Sequence, residues 1–337
     1  MSSSASAQPM VHWKGMHTVS LAEIQEAQSR LRSIAIRTRL IELNLQESSH
    51  RRLFLKPENQ QPIGAFKLRG AYNKIASLSE QDRKRGVITY SSGNHAQGVA
   101  YAARALGVKA VIVMPNNAPA IKRAATAALG AEIVFVGRGS AERQIKAEEL
   151  AAQHGYVIVP PYNDEHIIAG QGTIGLEILE DLPNVETVLA PVGGGGMISG
   201  VATAIKLTKP TVKVIGVEPE VAADAQASLR AGKIVQFSAD EVSRTMADGL
   251  RTQSIGPINF EHIRHYVDDI VTVSEDEIRQ AVRLLAENPS TVAEPSGAVA
   301  VAGFLFHRDQ LPKTKVNVAI ISGGNIDPKM LEEFQRG

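Results

Sequence analysis

The sequence predicts an α/β protein made of two doubly wound, mainly parallel-sheet domains. Three observations carry this. Short β-branched runs alternate with amphipathic helical stretches, the pattern of right-handed βαβ crossovers. In the first series a glycine stands just past each helical stretch, at Gly107, Gly130 and Gly155, where a left-handed residue closes a helix. In the second series the runs VETVLAPV, VKVIGVEP, DDIVTV and VNVAII are almost wholly apolar, as strands covered on both faces must be.

The elements follow in order. A helix is predicted from Ser20 to about Ile34, with a capping box of Ser20 and Glu23 and an apolar stripe of Leu21, Ile24 and Leu31. From Val87 to Pro160 come VITY, a helix from about Asn94 to Leu106, AVIVM, a helix stopped by Gly130, EIVFV, a helix stopped by Gly155, and YVIVP. This block is compact, so residues 81–160 read as a small inserted domain. Residues 1–80 and 161–337 then form the large one, because the stripe of the first helix needs a surface to bury it. A second capping box, Ser274 with Glu277, opens the helix after DDIVTV. No repeat of fixed period is apparent, which disfavours solenoids and propellers.

Composition narrows the function. Lys and Arg number 36 against 35 Asp and Glu, a net charge of +1, so no bulk field favours nucleic acid or an anionic membrane. Cysteine is absent, which removes disulfides, thiolate nucleophiles and Cys-based zinc sites. No apolar run approaches the ~20 residues that span a bilayer. The Ser- and Ala-rich start, MSSSASAQP, reads as a disordered leader rather than a secretion signal, and a cytoplasmic location is expected.

Four glycine-punctuated segments lie at strand ends or helix starts: PIGAFKLRGA, YSSGNHAQGVA, VGGGGMISG and ISGGN. Ligands of open α/β sheets sit beyond the carboxyl ends of the strands, so these segments are expected to meet in one cleft. VGGGGMISG opens a helix with bare backbone amides, an arrangement suited to a phosphate. It is neither GxGxxG nor a P-loop, and no acid stands about 20 residues on to meet a ribose, which argues against a nicotinamide oxidoreductase. Lys67 sits in an apolar stretch where burial would favour a neutral, nucleophilic amine; taken alone it also reads as a surface lysine at a helix start. His95, inside a helix start, reads as an orienting hydrogen-bond donor rather than a base. Ser322 offers a hydroxyl to a ring nitrogen. His262 and His265 lack a third metal ligand and read as surface residues.

Together, GAFKLRGA, SSGNHAQG, GGGGMISG and SGGN, in this order and spacing, resemble the fold-type-II pyridoxal-phosphate enzymes, and within them the serine/threonine dehydratase and serine racemase group. IAGQGT and ADGL agree, and the resemblance runs from about Ser20 to Asn325. It implies the tryptophan-synthase-β-like fold, an active site between the domains, and a mobile small domain that carries substrate contacts. It implies that Lys67 holds pyridoxal 5'-phosphate as an imine, Phe66 packs on its ring, Asn94 bonds its phenolic oxygen, Gly193, Gly194, Gly195, Gly196 and Met197 cradle its phosphate, and Ser322 faces its nitrogen. Ser91, Ser92, Asn94 and His95 would take the substrate carboxylate, with Arg143 nearby. Lys67 and Ser92 would be the two acid/base groups. GVEPEVAADA resembles a divalent-cation site with Glu218, the Ala222 carbonyl and Asp224 as ligands for Mg²⁺, or Ca²⁺ or Mn²⁺. A homodimer is implied as well.

The expected reaction is dehydration and deamination of L-serine or L-threonine to a 2-oxo acid and ammonia, with serine racemisation as a possible second output through Ser92. Pro161, Tyr162 and Asn163 replace the His-Pro-Asn of mammalian-type racemases, which places elimination ahead of racemisation. The alternative substrate is threo-3-hydroxyaspartate, its second carboxylate met by Arg143. The reading from another class, an inactive cofactor-binding homologue, has no use for both Lys67 and Ser92. The chain ends soon after ISGGN, so no C-terminal regulatory domain, and no isoleucine feedback through one, is expected.

Overall fold

The computed structural model describes residues 18–45, 50–118, 120–137 and 140–336; the predicted leader lies outside them. The chain opens on α1 (Leu21–Leu31), then β1 (Ile41–Leu43), β2 (Arg52–Pro57), α2 (Lys67–Ala76) and α3 (Glu80–Arg85). A compact series follows: β3 (Val87–Thr89), α4 (Asn94–Ala105), β4 (Ala110–Pro115), α5 (Ala120–Ala128), β5 (Glu132–Val136), α6 (Ser140–His154) and β6 (Val157–Ile158). Next are α7 (Glu165–Asp181), β7 (Thr187–Pro191), α8 (Gly196–Thr208), β8 (Lys213–Pro219), α9 (Asp224–Ala231), α10 (Ala239–Val242) and α11 (Pro257–Tyr266). The chain closes on β9 (Asp269–Val273), α12 (Glu275–Leu285), α13 (Pro295–Phe306), β10 (Val316–Ile321) and α14 (Pro328–Arg336). Both capping boxes form as read from the sequence, at Ser20 with Glu23 and at Ser274 with Glu277.

Two sheets result. The larger has the order β1-β2-β10-β7-β8-β9, parallel throughout except for β1. Its strands alternate between two cores. Val318 and Ile320 of β10 join Val188 and Ala190 of β7 beneath α7, α8 and α11. Ala319, Ile321 and Leu189 point the other way, into the core under α12 and α13. Burial on both faces is the physical reason these runs carry no polar alternation. The smaller sheet, β5-β4-β3-β6, is all parallel. Gly107, Gly130 and Gly155 follow its helices with φ of +65°, +85° and +73°, as the sequence predicts.

Helix α2 belongs to both layers. One side presents Ala71 and Ile75 to Ala96, Val99 and Ala103 of α4, in the core of the small sheet. The other side crosses α7 so closely that a β-carbon on Gly170 would overlap the Arg69 carbonyl region and the Gly70 Cα. Lys67, the first residue of α2, is therefore fixed at the seam of the two sheets.

Beneath α2 lies a buried charge cluster. Arg69 donates to Glu58 (2.7 and 2.9 Å) and Glu177 (2.7 and 2.9 Å), and Lys56 donates to Glu177 at 2.6 Å and to the Thr38 carbonyl at 2.8 Å. Two cations balance two carboxylates, so deletion of one leaves a buried charge uncompensated. Arg69→Ala is expected to destabilise the fold by about 3–5 kcal/mol in urea unfolding; a change under ~1 kcal/mol would show the cluster to be hydrated.

One reading is corrected. His262 is not a surface residue: it is fully buried, with Nε2 accepting from the Val19 amide at 2.9 Å and Nδ1 donating to the Ile258 carbonyl at 2.8 Å. The partner lies 243 residues away in the chain, so the i, i+3 spacing of the two histidines held no trace of it. His265 is exposed, as read.

Candidate active site

The four segments do meet. A single pocket between the two sheets is lined by Phe66 and Lys67 at the start of α2, by Ser91, Ser92, Asn94 and His95 where β3 gives way to α4, by Gly193, Gly194, Gly195, Gly196 and Met197 between β7 and α8, and by Ser322 after β10. Arg143 of α6 reaches the same space. The structure thus brings together every residue assigned from the sequence to catalysis, cofactor or substrate. Glu218, Ala222 and Asp224 lie apart, at the end of β8 and the start of α9.

Lys67 Nζ donates to the Pro161 carbonyl at 2.6 Å and stands 5.2 Å from the Phe66 ring centroid. No carboxylate pairs with it among the described residues. Burial therefore acts unopposed and lowers its pKa from 10.5 to about 8. An amine of that acidity is part-neutral at physiological pH and can attack a carbonyl.

Opposite lies the glycine loop. Gly195 has φ +90°, and the Gly194 carbonyl is tied down by Asn259 Nδ2 at 2.5 Å and the Gly256 amide at 3.2 Å. With the carbonyl turned away, the amides from Gly193 to Ile198 find no acceptor among the described residues; the first amide of α8 to do so is Ser199, bonded to Gly195 O. A row of bare N–H groups at a helix start, on a loop with no side chains, fits a phosphate. Ser322, 5% exposed, donates weakly to the Ser296 carbonyl at 3.3 Å and presents a hydroxyl rather than a charge. These groups fit a phosphorylated aldehyde with a neutral ring nitrogen.

His95 is buried, and its Nε2 sits 2.9 Å from the Val159 carbonyl, so that nitrogen carries the proton. Burial, with the Lys67 charge second, pushes its pKa down to about 3 against the opposing Val159 bond. The ring is neutral at every working pH.

The pocket also holds residues that sequence reasoning missed. Tyr162 covers the glycine loop, and burial, then Tyr90 and Asp224, push its hydroxyl up to about 12. Lys122 of α5 reaches across the cleft to Asp248 at 2.7 Å. Glu294 accepts from Asn94 Nδ2 at 2.6 Å; burial, then Asp248, push its carboxyl up to about 7, while Asn94 and Lys122 pull it down. A signal for Glu294 existed: it is the sole charge between Ser290 and Phe306.

Fold and pocket define an enzyme of the pyridoxal-phosphate class, and residues 31–323 match the family described as "Pyridoxal-phosphate dependent enzyme". The chain belongs to that family, in its fold-type-II branch. It is 48% identical over 317 residues to an L-threonine ammonia-lyase of Thermotoga maritima, covering 94% of this chain and 78% of that one. To an L-threo-3-hydroxyaspartate ammonia-lyase of Saccharomyces cerevisiae it is 42% identical over 308 residues, covering 91% and 93%. The solved structure of maize serine racemase superposes with a TM-score of 0.88 at 35% identity, covering 94% of this chain and 97% of that one.

Proposed function

We propose that this protein catalyses pyridoxal-phosphate-dependent β-elimination of a β-hydroxy amino acid such as L-serine or L-threonine, giving a 2-oxo acid and ammonia. The observation that carries the proposal is the pairing of one desolvated lysine amine with a loop of bare amides across a single pocket. Once bound, the cofactor supplies an electron sink for the charge released at the substrate Cα.

The chain's own residues do the rest. Lys67 would hold the cofactor, and its amine, once free in the pocket, would take the Cα proton. Ser91, Ser92 and Asn94 hold the substrate carboxylate at the N-terminus of α4, where the helix dipole favours an anion. Neutral His95 keeps this turn in place through Val159. Phe66 would pack on the ring, and the Ser322 hydroxyl would donate a hydrogen bond to its nitrogen without protonating it. The Arg143 guanidinium is half-buried in the pocket, and a substrate anion beside it would offset the cost of burying its charge. The small sheet, through α4, α5 and α6, covers the substrate and excludes water.

Two further outputs belong to the reading. Ser92 on the opposite face returns a proton to Cα and racemises serine. Arg143 with Lys122 accepts a second carboxylate, which extends the substrates to threo-3-hydroxyaspartate. The test is the purified holoenzyme on L-serine, L-threonine and both threo-3-hydroxyaspartate enantiomers, with ammonia release, 2-oxo acid identity and the chirality of recovered serine measured. Release from none of them would reject the proposal.

Because only neutral Lys67 attacks the aldehyde, capture of pyridoxal phosphate by the apoprotein is expected to speed up about tenfold from pH 7 to pH 9 and flatten above that. Stopped-flow absorbance reads this directly. A rate that falls over the range would contradict the assignment.

A divalent cation, Mg²⁺ with Ca²⁺ or Mn²⁺ as alternatives, is proposed at Glu218, Asp224 and the Ala222 carbonyl. Both acids are fully buried, and neither oxygen of Asp224 has a side-chain hydrogen-bond partner, a donor set that suits a hard cation. Millimolar Mg²⁺ added to chelator-treated protein should raise its melting temperature by several degrees, roughly the effect of 1–2 kcal/mol; an unchanged melt would remove the site. A homodimer and a cytoplasmic location complete the proposal on the resemblance alone, and light scattering tests the first. No helix among the described residues is long and apolar enough to cross a membrane.

A further inference from the structure

Asn94 is held from both ends. Asn325 Nδ2 donates to the Ile63 carbonyl at 2.9 Å and to Asn94 Oδ1 at 2.8 Å. A main-chain carbonyl only accepts, so the orientation of Asn325 is fixed, and with it that of Asn94. Asn94 Nδ2 then donates to Glu294 Oε1 at 2.6 Å. One N–H of the Asn94 amide remains, and Asn94 lines the pocket.

Glu294 has no evident structural duty. It stands at the N-cap of α13, yet its side chain makes no capping bond there. It forms no ion pair among the described residues and is 5% exposed. The charged groups that face it are Asp248, before Gly249, and Lys122 of α5, which pair with each other at 2.7 Å. Its other neighbours, Asn94 on α4 and Gly323 after β10, carry no charge. A buried acid whose single hydrogen bond goes to a pocket amide is placed to act through that amide.

We propose that Glu294 is a positioning residue: it turns the free N–H of Asn94 toward the bound cofactor, and its negative charge favours the protonated state of the nitrogen joining Lys67 to that cofactor. The inference rests on the function proposed above. It follows from sign alone that removing the charge lowers the pH at which that nitrogen gives up its proton.

The test is the visible absorption of the holoenzyme across pH 6 to 10, read above about pH 7 where the Glu294 carboxyl carries its charge, with cofactor affinity measured by dialysis against pyridoxal phosphate. Glu294→Gln still accepts from Asn94, so it should bind within about twofold of wild type yet shift the spectral midpoint down by roughly half a pH unit or more. Glu294→Ala should lose about tenfold in affinity, the worth of one hydrogen bond. In an Asn94→Ala background, Glu294→Gln should move the midpoint far less. A Glu294→Gln profile that superimposes on wild type, including a band equally constant in both, would overturn the inference, as would an undiminished shift without Asn94. Should Glu294→Ala fail to fold, the glutamine variant decides alone. Turnover with no spectral shift sinks this inference only; a protein that takes up no pyridoxal phosphate sinks the reading beneath it.

Discussion

Replacing Lys67 by alanine is expected to cut ammonia release by about 10⁴-fold or more, because the same amine both holds the cofactor and removes the Cα proton. The fold should survive. Among the described residues Lys67 makes one hydrogen bond, to Pro161 O, and no ion pair, so its truncation leaves no buried charge behind; the change in stability should stay near 1 kcal/mol. Pyridoxal phosphate should still bind through the amides of the glycine loop, but borohydride should no longer fix it to the chain. Steady-state ammonia assay, circular dichroism and mass spectrometry of the reduced protein separate these effects. A folded Lys67→Ala protein that keeps more than about 1% of wild-type turnover would require another base.

Lys67 also shows how far a sequence reaches. Alone, a lysine beside Phe66 and Leu68 reads better as a surface residue at a helix start than as a site. What made it legible was that three other glycine-rich turns stood at strand ends, and strand ends of parallel sheets converge. The helix-closing glycines and the two capping boxes were legible for a simpler reason: each is settled within four or five residues of chain. The runs apolar on both faces announced strands of a sheet covered on each side, and alternate residues of β7 and β10 do enter different cores.

The rest was hidden by distance along the chain. Asn94 and Glu294 are 200 residues apart, and Lys122 and Asp248 are 126 apart; no local pattern encodes such partners. Tyr162 was noticed only as a departure from a family motif, whereas its ring is the lid of the glycine loop. The partition of α2 between two cores escaped for a related reason. Ala71 and Ile75 face one layer while Gly70 meets α7 on the other, and these partners are set by tertiary packing that no local pattern in α2 records. The contact of Lys122 with Asp248 across the pocket is likewise formed only when the chain is folded.

Gly194→Ala is expected to weaken pyridoxal-phosphate binding by about a hundredfold and to destabilise the holoenzyme by about 1–3 kcal/mol. The added β-carbon would overlap Cγ, Cδ1 and Cε1 of Tyr162, the root of that ring rather than its tip, so a small rotation brings no relief. The loop cannot retreat either, since the Gly194 carbonyl is tied to Asn259 and Gly256. Tyr162 must therefore move, and Pro161, the residue before it, supplies the carbonyl that holds Lys67. One methyl group thus disturbs the phosphate amides and the lysine together. If this account holds, Tyr162→Ala should open the space the methyl needs, and Gly194→Ala placed on top of it should cost only about two- to fivefold further, the non-additivity of groups in contact. Dialysis affinities and melting temperatures of the four proteins in the cycle read the coupling. Full additivity, or a Gly194→Ala enzyme with wild-type affinity, would mean that the ring does not set the shape of the loop.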